Sequence, residues 1–173
     1  IRTIAGGGIG GFGAQHSQST EATLLHYPGL KIVYPSTPTE AKGLLLSCIF
    51  DEDPCIQFES MMLTYATREE VPLGDYRIPL GVAKVKREGS DVSLITYGWQ
   101  VMHGLAAAEE LAKEGISAEV LDLRTLMPLD YDRILTSVEK TGRALVVHAA
   151  TEFCGLGAEI ASTINEAMFH KLK

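Results

Sequence analysis

Short unbroken apolar runs alternate along this chain with longer segments in which apolar residues recur every third or fourth position. The first pattern predicts buried strands and the second amphipathic helices. "IRTIAGGG" reads as a strand running into a glycine loop. "STEATLLHY" opens with a Ser or Thr cap and carries Leu24 and Leu25 into a helix, followed by a short strand in "LKIVYP". "STPTEAKGLLLSCIF" has the clearest start signal: Thr37 as cap, Pro38 in the first helical position, Glu40 three residues after the cap. Its predicted apolar face is Leu44, Leu45, Cys48 and Ile49, and "PCIQFE" is the next buried strand.

Residues 60–89 lack a clear period and contain Pro72, Gly74, Pro79 and Gly81, which predicts a linker crossing the surface. Beyond it the alternation resumes. "DVSLITYG", "SAEVLDL" and "RALVVHA" read as strands. "QVMHGLAAAEELAKEG" reads as a helix striped by Val101, Leu105, Ala108 and Ala112, stopped at Gly115. "DYDRILTSVEKTG" reads as a helix capped by Asp130, with Ile134 and Val138 inward and Gly142 as its stop. "GLGAEIASTINEAMFHKL" is the last helix. Strand–helix alternation implies parallel sheet with right-handed crossovers. The expected fold is therefore α/β: two three-layer units with mainly parallel sheets, over residues 1–60 and 90–173, joined by a linker at 61–89.

Composition narrows the class. The 173 residues are 46% hydrophobic and 21% charged, enough for a sizeable core. A net charge of −7 argues against nucleic acid as a partner. Among the scattered basic residues, "KVKR" (84–87) reads as a solvated strand edge. No apolar run approaches the roughly 20 residues of a membrane span, so no membrane association is expected. Cys48, Cys55 and Cys154 have no zinc-like spacing and read as reduced, mostly buried thiols of a cytosolic or organelle-matrix protein. The chain begins within a strand and ends within a helix, the expectation for a fragment of a longer protein.

Candidate chemistry concentrates near the start. Gly8, Gly10 and Gly13 satisfy G-x-G-x-x-G, but a dinucleotide fingerprint needs a helix at once and an acid at the end of the next strand. Here "AQHSQS" has no helical stripe and "KIVYP" ends in Tyr and Pro, so the glycines read instead as a close backbone approach to another chain or a ligand. His16 sits in a polar loop just before a helix cap, where parallel sheets form their sites. An imidazole there can donate or accept a proton, with Gln15, Ser17 and Gln18 to orient it, or it is a plain loop histidine.

The blocks "AQHSQS", "PGLKIVYP", "AKGLLLSCI", "DPCIQFE", "LDLRTLMPLD" and "GLGAEI" together resemble the β subunit of the thiamine-diphosphate-dependent E1 component of 2-oxo acid dehydrogenase complexes, over essentially the whole chain. "LLLSCI" and "DPCIQFE" lean toward the branched-chain members; pyruvate and acetoin members are also similar. The resemblance implies the tail of a pyrimidine-binding-type domain over 1–60 and most of a transketolase C-terminal-like domain over 90–173. It implies oxidative decarboxylation of a 2-oxo acid and acylation of a lipoyl group. It carries a catalytic role over to His16, which would position the cofactor-bound substrate and supply a proton during acyl transfer. Thiamine diphosphate and Mg2+ would be bound mainly by residues outside this chain, so the chain alone would be inactive. The implied partners are an E1 α subunit, a lipoyl-bearing E2 component and a second β subunit. The implied location is the cytoplasm of a bacterium or archaeon, or the mitochondrial matrix.

The resemblance also implies a potassium site at the helix end "SCIFDED", through the carbonyl of Cys48 and oxygens of Asp51 and Asp53, where an asparagine is the familiar residue at the last position. Spacing alone reads the same residues as a solvated acidic turn. His148 ends an apolar strand but lacks the acid that follows in the family; Glu59 ends another strand and reads as a supporting or site-facing carboxylate. His26, His103 and His170 read as surface or capping residues, and Trp99 as a boundary residue. Two rivals stand: a transketolase or deoxyxylulose-phosphate synthase type that transfers two carbons without lipoate, and a non-catalytic interaction module of the same fold.

Overall fold

The computed structural model describes residues 1–6 and 11–173; Gly8 and Gly10 of the G-x-G-x-x-G stretch lie outside the described residues. In chain order the elements are β1 (Arg2–Ala5), α1 (Gly13–His16), α2 (Glu21–Leu25), β2 (Lys31–Val33), α3 (Pro38–Ile49), β3 (Cys55–Ser60) and α4 (Met61–Ala66). They continue with β4 (Lys84–Arg87), β5 (Val92–Thr96), α5 (Gln100–Lys113), β6 (Ala118–Asp122) and β7 (Thr125–Met127). α6 (Tyr131–Thr141), β8 (Ala144–Val147), α7 (Leu156–Met168) and a closing 3-10 turn (Phe169–Lys171) complete the chain.

Two sheets result, ordered β1-β3-β2-β7 and β4-β6-β5-β8. The pairs β1/β3, β2/β3, β5/β6 and β5/β8 are parallel, whereas β7 on β2 and β4 on β6 are antiparallel. The mainly parallel α/β architecture expected from the alternation is therefore present. The strand β7 was not expected. It follows β6 closely in sequence yet crosses to the first sheet, pairing Thr125 with Val33. One core consequently runs through both sheets, joining Ile32, Tyr34 and Phe58 to Ile95, Tyr97, Leu121 and Ile134.

The signals of α3 and α6 act as read, whereas Thr20 precedes α2 without a side-chain capping bond. Thr37 accepts from Glu40 N and Pro38 opens α3; Asp130 accepts from Arg133 N and Gly142, at φ +71, ends α6. Three burial expectations fail. Of the cysteines only Cys55 is buried, and Cys154 is exposed in the turn before α7. Ile49 is exposed, because it lies about half a turn round the helix from the buried Glu40 and Leu44. Ala112 is exposed in the last turn of α5, and Leu111 packs on the core instead. The segment expected as a plain linker holds α4 and β4, and the irregular stretch between them is strapped to α3. Ile78 N donates to Gly43 O at 3.2 Å, Ser47 Oγ to Ile78 O at 2.6 Å, and Tyr76 Oη to Thr39 O at 2.8 Å. "KVKR" forms β4, an edge strand.

A buried polar knot ties α3 to the second sheet. Ser36 Oγ lies 2.9 Å from Glu40 Oε2 and 2.5 Å from Asp122 Oδ2. One hydroxyl hydrogen cannot serve two carboxylates, so the pair is best satisfied holding one extra proton. Burial and the Glu40 charge push Asp122 up to about 7. Burial would also raise Glu40, but Lys86, at 2.7 Å, outweighs it and leaves Glu40 below its ordinary range. A carboxyl raised in the folded state contributes stability that is present below its unfolded value and lost as pH rises through the folded one. Glu40, being lowered, loses its contribution only at acid pH. Folding stability should therefore fall as pH rises from 5 to about 7, by up to about 1.4 kcal/mol per pH unit. Denaturant titrations at stepped pH check this: Asp122→Asn should flatten the slope, and an unchanged slope would rule Asp122 out as its source.

Candidate active site

β1 and β3 run parallel, and their carboxyl ends open on one face of the first sheet, where α/β proteins form sites. β1 ends at the buried Ala5. Gly6 N then donates to Gln18 O at 2.9 Å, closing the base of the loop that carries His16. Gly11 and Gly13 sit at φ +67 and +74, a conformation costly for other residues. They allow the single helical turn of α1, which the lack of a stripe in "AQHSQS" did not predict. Ser17 Oγ accepts from Phe12 N at 2.7 Å and Gln18 Nε2 donates to Ala14 O at 2.7 Å. These side chains brace the turn rather than the imidazole. His16 is exposed, and its imidazole makes no hydrogen bond among the described residues.

His16 lines an open cleft of about 760 Å³ with Phe12, Gln15, Gln18, Glu59 and Met61. Glu59, at the end of β3, faces this cleft. Arg2 grips it with Nε at 2.7 Å and Nη2 at 2.8 Å, and Gln57 Nε2 adds a bond at 2.9 Å. The Arg2 hydrogen bonds hold Glu59 below its ordinary range, so it stays a carboxylate with its charge already paired.

The other candidates lie elsewhere. Lys31 Nζ reaches Asp51 Oδ1 and Oδ2 at 2.8 and 2.9 Å and Asp53 Oδ2 at 3.1 Å. The Cys48 thiol is pushed up to about 12 by burial and by Cys55 beside it, so it is uncharged. The expected cation ligands were the Cys48 carbonyl and oxygens of Asp51 and Asp53; here the Lys31 ammonium sits between the two carboxylates. No group of three or more His, Cys, Asp or Glu side chains among the described residues is placed to hold a metal ion. His148 stacks on Tyr97, centroids 6.1 Å apart and planes at 8°, lines a different cleft from His16, and has Nδ1 buried without a partner among the described residues. Trp99 caps α5 and packs edge-on against His103.

Among the acids whose burial the sequence did not announce, one stands next to the His16 loop. Glu21, the first residue of α2, is fully buried, and its Oε1 accepts from Tyr97 Oη at 3.0 Å. Its place directly after "HSQST", in a helix too short to show a period, gave no sign of burial.

Two mainly parallel sheets in tandem, with a histidine loop at the carboxyl edge of the first, define a transketolase-type pair of domains. Residues 1–65 match the transketolase pyrimidine-binding domain and residues 81–173 the transketolase C-terminal domain. The chain belongs to the family of the transketolase C-terminal domain, which covers more than half of it. It is 52% identical over 96% of its length to the pyruvate dehydrogenase E1 component subunit beta of Bacillus subtilis, and 49% identical over 96% to that of Staphylococcus aureus strain Mu50. It spans about half of these relatives, 51% of each. Among solved structures it resembles a split-gene transketolase described as an inactive beta4 tetramer. The TM-score is 0.80 at 26% identity, covering 96% of this chain and 53% of that one. Campylobacter jejuni transketolase shares the fold, with a TM-score of 0.63 at 22% identity over 86% of this chain and 24% of that one. No helix among the described residues is long and apolar enough to cross a membrane.

Proposed function

We propose that this chain is part of the β subunit of the E1 component of a 2-oxo acid dehydrogenase complex, with pyruvate as the substrate, residues 1–60 and 90–173 as its two domains, and His16 as an acid/base group. The observation that carries the reading is the 52% identity to a pyruvate dehydrogenase E1 β subunit along nearly the whole chain. The branched-chain leaning rested on "LLLSCI" and "DPCIQFE". Those blocks build α3 and β3, where Leu44 and Phe58 are fully buried, so they report packing more than substrate choice. The relatives at 49–52% identity favour pyruvate.

The cleft fits one flank of a heteroaromatic cofactor: Phe12 and Met61 offer apolar surface, and Gln15, His16 and Gln18 offer polar groups. Thiamine diphosphate bound there would supply the electron sink for decarboxylation. Its phosphates and Mg2+ would be held mainly outside this chain. His16, exposed on the cleft wall, would give a proton at a ring nitrogen to the sulfur released when the lipoyl disulfide opens, the other sulfur taking the acyl group. Glu59, already paired with Arg2, would fix the charge of the opposite wall without exchanging protons. An E1 α subunit would close the open side, a second β subunit would complete the assembly, and a lipoyl-bearing E2 would receive the acyl group. The potassium ion implied by the resemblance finds its two carboxylates taken by Lys31, and no step is assigned to it. The bacterial relatives favour a bacterial cytoplasm for the assembly.

The test uses the full-length β subunit assembled with its α subunit. Lipoyl-domain acylation is measured with pyruvate, a branched-chain 2-oxo acid and a ketose donor. Pyruvate should be preferred by at least about tenfold in kcat/KM. Preference for the branched acid would restore that assignment. Two-carbon transfer to an aldose without lipoyl acylation would replace both with a transketolase activity.

A further inference from the structure

The loop that carries His16 has little to hold it in place. None of residues 11–20 is buried. Its described ties, Gly6 N to Gln18 O, Phe12 N to Ser17 Oγ and Gln18 Nε2 to Ala14 O, all close on the loop or its own stem. Glu21, one residue later, is the reverse: 0% exposed. Leu24 and Leu25 pack α2 onto the core, but apolar contact is non-directional and does not set an orientation.

The Glu21 carboxyl has one partner, Tyr97 Oη at 3.0 Å on Oε1; Oε2 is buried without a partner, and no ion pair reaches it among the described residues. Tyr97 is a rigid post. Its ring lies 5.5 Å from Tyr34 and 6.1 Å from His148. Tyr34 in turn is pressed so close to Gly98 that a β-carbon there would meet its ring at 2.7 Å. A half-satisfied buried carboxyl is costly, and an apolar residue of the same size would give a more stable packing. The acid is therefore poorly explained by stability. What it does supply is a directed bond from the end of the His16 loop to the carboxyl edge of the second sheet.

We infer that Glu21 is a positioning residue: through Tyr97 it pins the His16 loop of the first sheet to the second sheet and so fixes where the imidazole stands in the cleft. The catalytic half of this inference rests on the reading of His16 given above; the anchoring half does not.

The experiment uses full-length β subunit assembled with its α subunit and compares Glu21→Gln, Glu21→Leu and Tyr97→Phe. Three quantities are read: amide hydrogen exchange of the peptide covering residues 11–20, the thermal midpoint, and kcat with KM for the 2-oxo acid. Glu21→Gln keeps an acceptor for Tyr97 Oη and should retain loop protection and kcat within about twofold. Tyr97→Phe and Glu21→Leu lose the bond, so loop exchange should rise about tenfold and kcat fall about tenfold at nearly constant KM. Glu21→Leu should do so while its thermal midpoint stays level or rises, an outcome that a packing role would not produce. Unchanged loop protection in both bond-deleting variants would overturn the inference. If loop exchange rises but His16→Ala retains full acylation, the anchor is upheld and the catalytic reading of His16 is what fails.

Discussion

Replacing His16 with alanine should cut overall 2-oxo acid oxidation by the assembled enzyme at least about a hundredfold. The size follows from the loss of a positioned acid/base group, which contributes about 10²–10⁴ in rate. The geometry makes the measurement clean. His16 is exposed and its imidazole bonds to none of the described residues, so trimming it leaves no buried partner unsatisfied. The thermal midpoint should therefore stay within about a degree of wild type, in line with surface substitutions. The loss should appear in lipoyl acylation, since Arg2 and Glu59 still define the far wall of the cleft. Lipoyl acylation retained at wild-type rate would remove His16 from the mechanism and would favour a non-catalytic module of this fold.

The second large effect is on stability. Lys86→Met should destabilise the protein by about 3–5 kcal/mol, the usual cost of stripping one partner from a buried ion pair. Lys86 Nζ lies 2.7 Å from Glu40 Oε1 and 3.5 Å from Asp122 Oδ2, with its side chain 12% exposed. Without it, the nearest remaining cation is Arg124 Nη1, 3.9 Å from Glu40. For a protein of this size the thermal midpoint should fall by roughly 10 °C. Adding Glu40→Gln to Lys86→Met should recover most of the loss, because the stranded charge goes too. A single-variant loss under about 1 kcal/mol would show that the knot is a solvated contact rather than a buried one.

Local signals carried most of the architecture. Thr37–Pro38 and Asp130–Gly142 mark helix ends by chemistry acting within one turn, so they were legible without knowing what the helices pack on. His16 was legible because nothing in its loop can build a core. The misses share a cause. β7 is three residues long and its partner Val33 is far away in sequence, so no local period announces it. Glu21 resembles any acid in a first helical turn; its burial is decided by Tyr97, which no spacing rule connects to it. The pairing of Asp51 and Asp53 with Lys31 was hidden for the same reason, since Lys31 arrives from β2. Sequence patterns report what a segment prefers alone, and each miss depends on a partner brought in by the tertiary fold.

The crossing of β7 bears on how this chain is made. A chain emerges from its amino end, and domains generally fold as units during synthesis. The first sheet cannot do so here. Until Thr125 to Met127 appear, β2 has one flank bare, with Val33 waiting for Thr125. The early part of the nascent chain thus presents an open strand edge while most of the second sheet is still being translated, the state most prone to pairing with the wrong neighbour. A gene cut within the strap between α4 and β4 would make that temporary exposure permanent.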